Sequence, residues 1–168
     1  DGEVVDLRTV VDHDAAVNIL TAKDEKGLAA LRHTTSHVMA QAVKRLYPNT
    51  KLAIGPSIAD GFYYDIEFET PLTSDDFEKN EAEMKKIVKE DLKLEQFEMA
   101  PADAIKYLKE IDEPYKVELC EEHAGKNEPI SFYKQGEFTD LCAGPHLMST
   151  GYVKAFKLTS CTGAYWRG

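Results

Sequence analysis

The stretch Leu28-Ala-Ala-Leu-Arg-His-Thr-Thr-Ser-His-Val-Met-Ala-Gln-Ala-Val-Lys-Arg-Leu46 decides how the central part of this chain folds. When successive residues are turned by about 100° around a common axis, its apolar side chains fall on one stripe. That stripe consists of Leu28, Leu31, Val38, Met39, Ala42 and Leu46. The pattern predicts a helix over residues 28–46 with this stripe against a hydrophobic core.

Two histidines lie opposite the apolar stripe of the predicted helix. Because residues four apart share a helix face, His33 and His37 can point at one target. Small residues flank them and leave room for a ligand. These are Ala29, Ala30 and Ala40, with Ser36 at one margin. On this helix alone, a plain solvent-exposed face remains the alternative.

A second motif, Cys142-Ala-Gly-Pro-His146, lies more than a hundred residues further along. Together with His33 and His37 it suggests one reactive pocket. Three imidazoles and a thiolate suit zinc, although a His-x-x-x-His without a central Glu disfavours a zinc protease. A site that uses three of these ligands could activate water at an open position. Alternatively, the pocket is metal-free, and a histidine orients or deprotonates water.

Two charged residues are ambiguous from the sequence. Asp140 lies two residues before Cys142, so in an extended segment both side chains face the same way. Its alternative is a turn-capping role ahead of Gly144-Pro145. Lys116 lies in a β-like run, where a lysine is usually solvated, and spacing alone leaves it so.

The remaining patterns mix strands and helices irregularly, with several hairpin-like turns such as Asp60-Gly61. This mixture predicts an α+β fold with a largely antiparallel sheet packed against the long central helix and further helices. The Val-rich runs of residues 1–22 predict strands of a small, incomplete unit. The other predicted strands are 52–56, 62–68, 92–99, 115–119, 130–133, 138–142 and 152–158, and the other helices follow Thr73 or Ser74 and cover 101–111.

Composition narrows the class of protein. The 168 residues suffice for one sizeable core plus an appendage, and the net charge of −10 argues against a broad grip on a nucleic-acid backbone. The longest apolar runs are far shorter than a membrane span, and the start lacks a secretory-signal pattern. Three widely spaced cysteines fit a reducing compartment. We therefore expect a cytoplasmic protein without a membrane partner.

Six motifs in the same order resemble the N-terminal editing region of bacterial threonyl-tRNA synthetases, and the resemblance runs over residues 28–168. It implies an editing domain of the threonyl-tRNA and alanyl-tRNA synthetase type at 23–168. Residues 1–22 resemble the C-terminal part of a TGS-like β-grasp unit. The motifs are His33-Thr-Thr-Ser-His37, Leu52-Ala-Ile-Gly-Pro56, Gly61-Phe-Tyr-Tyr-Asp65, Tyr115-Lys-Val117, Asp140-Leu-Cys-Ala-Gly-Pro-His146 and Gly163-Ala-Tyr-Trp-Arg-Gly168.

The last motif resembles the junction to a class II catalytic domain, which this sequence does not include. The resemblance therefore implies a proofreading fragment that does not aminoacylate by itself. It would hydrolyse the ester of mischarged seryl-tRNA(Thr), with the rest of the synthetase in cis. The full-length enzyme would be a homodimer that uses ATP, magnesium and a zinc ion in its catalytic domain. The alternatives are a non-catalytic zinc-binding module and a trans-acting hydrolase of the alanyl type.

The resemblance also assigns roles to individual residues. Asp140 would anchor the seryl ammonium group, Tyr64 would contact the terminal adenosine, and His33 with Lys116 would position and polarise water. The other catalytic-site residues, which shape the pocket, would be His37, Cys142 and His146. Related alanyl-type domains hold zinc with the equivalents of His33, His37, Cys142 and His146, whereas the threonyl version works without it. The resemblance thus favours a site that needs no cofactor, with zinc as the alternative.

Overall fold

A computed structural model of the chain describes residues 2–166 and confirms the α+β class. Three small antiparallel sheets form in this range: β5-β6-β7, β1-β4 and β2-β3. The helices are α1 Glu25–Leu46, α2 Asp75–Glu90, α3 Pro101–Glu110 and α4 Pro114–Ala124. The strands are β1 Lys51–Leu52, β2 Ser57–Ile58, β3 Gly61–Phe62, β4 Ile66–Glu67, β5 Leu94–Met99, β6 Ile130–Gln135 and β7 Phe138–Leu141, followed by a 3₁₀ turn at Thr150–Tyr152.

The central helix α1 is confirmed, and it begins three residues earlier than predicted, at Glu25. Its apolar stripe packs against α2, where Val38 and Ala42 join Met84 and Ile87 in one core cluster. Lys44 and Arg45 occupy its last turn, where positive charge favours the helix dipole. The opposite side of α1, which carries the histidines, is also buried, so it is not a solvent-exposed face.

The three-stranded sheet forms a second core with α3 and α4. Phe132 of β6 is fully buried there, stacked on Phe97 and in edge contact with Tyr107. Because side chains alternate along a strand, Tyr133 points to the other side of the sheet, and its register partner in β7 is Asp140. The sheet therefore carries an apolar face toward α3 and α4 and a polar face toward α1.

Two strand predictions in the C-terminal half are wrong. Residues 115–119 lie in α4, which begins with Pro114 at a position where proline favours helix initiation. In this helix Val117 and Cys120 face the second core together, as residues three apart do. Residues 152–158 form no strand either, because Val153 is buried in the first core and the segment has no neighbouring strand within residues 2–166.

Residues 2–22 adopt neither helix nor strand, so the strands predicted there are also wrong within the described range. Side chains such as Val10, Val17 and Ile19 are exposed, and a strand needs a partner for its backbone groups. The β-grasp assignment of this segment stays a prediction. Asp1, and Arg167 and Gly168 of the last motif, lie outside the described residues.

The start of α2 is at the predicted position but is held differently. Ser74 precedes the helix without making a side-chain hydrogen bond to it. Instead, Asp76 accepts hydrogen bonds from the backbone N–H of Thr73 at 2.9 Å and from its hydroxyl at 3.2 Å. The helix end is thus fixed by an acidic side chain reaching back.

None of the helices in the described part of the chain combines the length and the apolar character that a membrane span requires.

Arg45 joins the end of α1 to α2 and to the β6–β7 turn through Glu90 and Glu137. The hydrogen bond from Arg45 lowers the pKa of Glu137 from 4.5 to about 2. A lowered folded-state pKa gives stability that is present above pH 4.5 and is lost as the pH falls toward 2. Because Glu137 is more than half exposed, we expect Arg45→Met to lower the free energy of unfolding at pH 7 by less than about 1 kcal/mol.

Denaturant unfolding of both proteins between pH 7 and pH 2 checks this expectation, and the gap between them should narrow below pH 4.5. Lys109→Met is the control, since both side chains of the Lys109–Glu121 pair are exposed. A gap that stays constant down to pH 2 would contradict the assigned role of Glu137.

Candidate functional site

The two predicted motifs meet in space. Helix α1 supplies His33 and His37, and the loop after β7 supplies Cys142 and His146. The Cys142 sulfur lies 3.4 Å from His33 Nε2 and 3.2 Å from His146 Nε2. The His146 ring centroid is 4.3 Å from those of both His33 and His37. The single pocket expected from the sequence is therefore assembled.

A buried charged network borders this cluster. Asp140 forms an ion pair with Lys116 and accepts a 2.7 Å hydrogen bond from the Tyr64 hydroxyl. His37 Nε2 lies 3.3 Å from Asp140 Oδ2, the same oxygen that accepts the Tyr64 hydrogen bond. Lys116 also donates to the Tyr64 hydroxyl at 3.1 Å. Lys116 and Asp140 are each about 2% exposed, so the solvated-lysine and turn-cap alternatives are both wrong.

A solvent-connected pocket of about 310 Å³ opens onto this network. His33, His37, Tyr64, Asp140 and Cys142 provide its polar wall. Lys116 and His146 do not line it and lie behind that wall. The rest of the lining is mostly apolar: Ala53, Ile54, Gly55, Pro56, Leu119, Leu141 and Ala143.

Burial sets the protonation of the cluster. It lowers the pKa of His33, which the nearby Asp140 charge partly offsets, and it lowers the pKa of His37 and His146 further. The three imidazoles are therefore neutral at neutral pH, and His33 has the smallest shift of the three. Burial also raises the pKa of Cys142 to about 12. Its thiol stays protonated, which argues against a thiolate nucleophile.

Sequence reasoning gave no hydrogen-bonding role to the hydroxyl residues between the two histidines. Ser36 Oγ lies 2.8 Å from the Gly55 carbonyl and ties α1 to the apolar wall of the pocket. Thr34 Oγ1 lies 2.9 Å from His146 Nδ1 and ties α1 to the loop after β7. A run of hydroxyl residues within one turn of a predicted helix is a readable signal, because buried hydroxyls need hydrogen-bond partners.

The N-terminal segment also reaches the site, and the sequence did not indicate this contact. Asp6 accepts hydrogen bonds from the backbone N–H of His146 at 3.1 Å and from the Tyr133 hydroxyl at 2.8 Å. Arg8 donates to the Leu147 carbonyl at 2.8 Å. These bonds fix the loop that carries His146.

The donor set fits a zinc ion. Three imidazoles and one thiol offer ligand atoms within 4.8 Å of one another, which matches zinc in donor type and number. His37 Nδ1 is buried without a hydrogen-bond partner among the described residues, while its Nε2 faces Asp140. A carboxylate behind a histidine is typical of metal-ligating histidines. Zinc binding would require Cys142 to lose its proton.

Comparison with known proteins agrees with the geometry. Residues 130–165, which include β6, β7 and the Cys142–His146 loop, match the family described as the threonyl and alanyl tRNA synthetase second additional domain. These residues are therefore similar to the second additional domain, the family that the six sequence motifs indicated.

Full-length relatives extend the match over the whole chain. The chain is 60% identical over 167 residues to a threonine–tRNA ligase of Acetivibrio thermocellus, and the match covers 99% of this chain and 26% of the relative. It is 61% identical over 168 residues to a Clostridium botulinum threonine–tRNA ligase, covering 100% of this chain and 26% of the relative. A Caldanaerobacter subterraneus relative is 59% identical over 99% of this chain and 26% of its own length. The chain thus spans about a quarter of these ligases.

The pocket depends on a glycine for the placement of Tyr64. A Cβ on Gly55 would lie 2.1 Å from the Tyr64 ring, whereas a Cβ on Gly61 would meet nothing within 4 Å. We expect Gly55→Ala to displace the Tyr64 ring from Asp140 and to lower the free energy of unfolding by about 1–3 kcal/mol. Gly61→Ala should change it by less than about 0.5 kcal/mol. Denaturant unfolding of the two variants makes the comparison, and equal effects would refute this role of Gly55.

Proposed function

We propose that this chain is the proofreading part of a threonine–tRNA ligase and hydrolyses the ester bond of mischarged seryl-tRNA(Thr). One observation carries the proposal. His33, Tyr64 and Asp140 line one pocket, and Lys116 is paired with Asp140 behind its wall, in a chain about 60% identical to threonine–tRNA ligases.

The chemistry of the two amino acids explains why such a pocket is needed. Serine lacks one methyl group of threonine, and a matched pocket gains only about 1–3 kcal/mol of discrimination from one methyl. A second pocket can instead exclude the larger amino acid by steric contact. The close apolar wall that includes Gly55 and Pro56 is suited to this exclusion.

His33 is the proposed general base. It lines the pocket with a neutral imidazole, which can take a proton from water as the water oxygen attacks the ester carbonyl carbon. The tetrahedral intermediate then collapses, the ribose oxygen leaves and takes up a proton, and serine is released. His37, Cys142 and His146 hold the shape of the wall, and the protonated Cys142 takes no covalent part.

The proposed roles of Lys116 and Asp140 require the Asp140 carboxylate to exchange Lys116 for the substrate ammonium group. The proposed anchor for the substrate ammonium is Asp140, but its carboxylate is already paired with Lys116. An incoming ammonium group would replace the Lys116 ammonium at this carboxylate without leaving it unpaired. Lys116 would then be free to polarise the attacking water with His33. Tyr64, which lines the pocket, remains the proposed contact for the terminal adenosine.

The partners follow from the same proposal. The single-stranded 3′ end of tRNA(Thr) enters the pocket, and the remainder of the tRNA is held by the rest of the synthetase in cis. A net charge of −10 fits this division, since an acidic chain gains little from a phosphate backbone. The β-grasp origin of residues 1–22, a cytoplasmic location and a homodimeric full-length enzyme that uses ATP, magnesium and zinc belong to the same proposal.

A zinc-binding module without turnover is the second candidate function, and the cluster of four donors favours it. Zinc held by His33, His37, Cys142 and His146 would supply folding energy, or it would polarise water if one position stayed open. We place metal-free hydrolysis first, because the resemblance is to the threonyl type.

Removing metal separates the two candidates. We expect chelator-treated protein, shown by elemental analysis to be free of zinc, to keep its fold and to hydrolyse seryl-tRNA(Thr) faster than threonyl-tRNA(Thr). Circular dichroism and single-turnover hydrolysis measure the two properties. Unfolding on chelation, with one equivalent of zinc in the untreated protein, would favour the binding module.

Substitution of the proposed base and its partner tests the catalytic roles. We expect His33→Ala and Lys116→Ala each to slow single-turnover hydrolysis of seryl-tRNA by about a hundredfold. His13→Ala is the matched control, because His13 is an exposed histidine that does not line the pocket. Because Lys116 is buried against Asp140, the folded fraction of its variant must be measured in parallel. Full rates in both folded variants would reject these roles.

A further inference from the structure

Thr34 uses its hydroxyl differently from its neighbour in the same helix. The Thr35 hydroxyl donates to the Leu31 carbonyl one turn earlier at 2.8 Å, which is an ordinary bond within a helix. The Thr34 hydroxyl instead meets the loop after β7. Its oxygen accepts the backbone N–H of Leu147 at 3.0 Å and lies 2.9 Å from His146 Nδ1. Thr34 is fully buried, so water cannot replace these partners.

The hydrogen-bond partners of Thr34 determine which atom donates in its bond to His146. The Leu147 N–H is a donor, so the Thr34 hydroxyl proton can only go to His146 Nδ1 among the hydrogen-bond partners in residues 2–166. A neutral imidazole carries one ring proton. With Nδ1 as acceptor, that proton lies on Nε2, which is 3.2 Å from the Cys142 sulfur.

The partners of Cys142 determine in the same way where its thiol proton points. Its sulfur already meets the Gly144 N–H at 3.2 Å and, in this arrangement, accepts the His146 Nε2–H as well. Its own S–H is then directed at the third neighbour, His33 Nε2, 3.4 Å away. A neutral imidazole carries one ring proton, so His33 would then hold its proton on Nδ1. The reversed arrangement leaves the buried Thr34 hydroxyl proton without an acceptor.

We propose that Thr34 is a positioning residue that sets the direction of a hydrogen-bond chain from Thr34 through His146 and Cys142 to His33. It selects the Nε2–H tautomer of His146 and thereby keeps His33 Nε2 a proton acceptor, at which an attacking water would displace the weakly donating Cys142 S–H. The link to catalysis rests on the proposed function, in which His33 is the base. The tautomer assignment itself does not depend on that function.

Nitrogen-15 NMR of histidine-labelled protein at neutral pH tests the tautomers, with ring signals assigned through His146→Gln. The wild-type protein should show His146 protonated at Nε2. Thr34→Val, which removes the hydroxyl but keeps the shape, should lose this single tautomer. Thr34→Ser, which keeps the hydroxyl, and Thr35→Val, which removes the neighbouring hydroxyl, should both retain it. His146 protonated at Nδ1 in the wild type would overturn the proposal even if Thr34→Val does not fold.

Single-turnover hydrolysis of seryl-tRNA provides the second readout. We expect Thr34→Val to be slower by about tenfold, and Thr34→Ser and Thr35→Val to stay within about twofold of the wild type. A folded Thr34→Val variant with the wild-type tautomer and rate would refute the positioning role. A wild-type chain without hydrolysis would refute the proposed function instead, and the NMR spectra would still decide the tautomer.

Discussion

A buried lysine–carboxylate pair joins the elements that form the candidate site. Lys116 comes from α4 and Asp140 from β7, and both are almost fully enclosed. A buried charge that loses its partner destabilises a protein by several kcal/mol, so neither side chain can move independently. Tyr64, from the segment between β3 and β4, and His37, from α1, complete the ring of contacts around the carboxylate. Four separate parts of the chain are thus held at one point.

Two of the hydrophobic cores support this arrangement. One packs α1 against α2, and the other packs α3 and α4 against the sheet, so elements of both cores meet at the pair. Burial then gives the site its chemistry. It keeps the three imidazoles neutral and the Cys142 thiol protonated, which suits proton transfer to and from water better than nucleophilic attack by sulfur.

The same four residues are compatible with zinc and with metal-free chemistry, and their hydrogen bonds separate the two. A zinc ligand needs an unprotonated nitrogen and a thiolate at the metal. The Thr34 hydroxyl favours a proton on the His146 nitrogen that faces the cluster. In this account the residues around the donors, more than the donors themselves, decide which chemistry the pocket performs.

Much of this site could be predicted, and the failures have physical causes. The 3.6-residue period of apolar residues located α1 and placed His33 and His37 on one face. This was possible because the period can be read within a single segment of the sequence. Lys116 was misplaced on a strand, since Tyr115 and Val117 fit β propensity. Pro114, which favours helix initiation, and packing against the sheet select the helix instead. The Lys116–Asp140 pair spans separate elements and follows no spacing rule. The contacts of Thr34 and Asp6 with the His146 loop were likewise invisible, because a hydroxyl or carboxylate acquires its partner only in the folded chain.

The most direct test of this account is a crystal structure of the chain with a non-hydrolysable seryl-adenosine analogue. The account predicts that the seryl ammonium group binds Asp140, that Lys116 leaves this carboxylate, and that a water molecule lies between His33 and the carbonyl carbon. An analogue bound with its ammonium group away from Asp140 and the Lys116–Asp140 pair intact would contradict it.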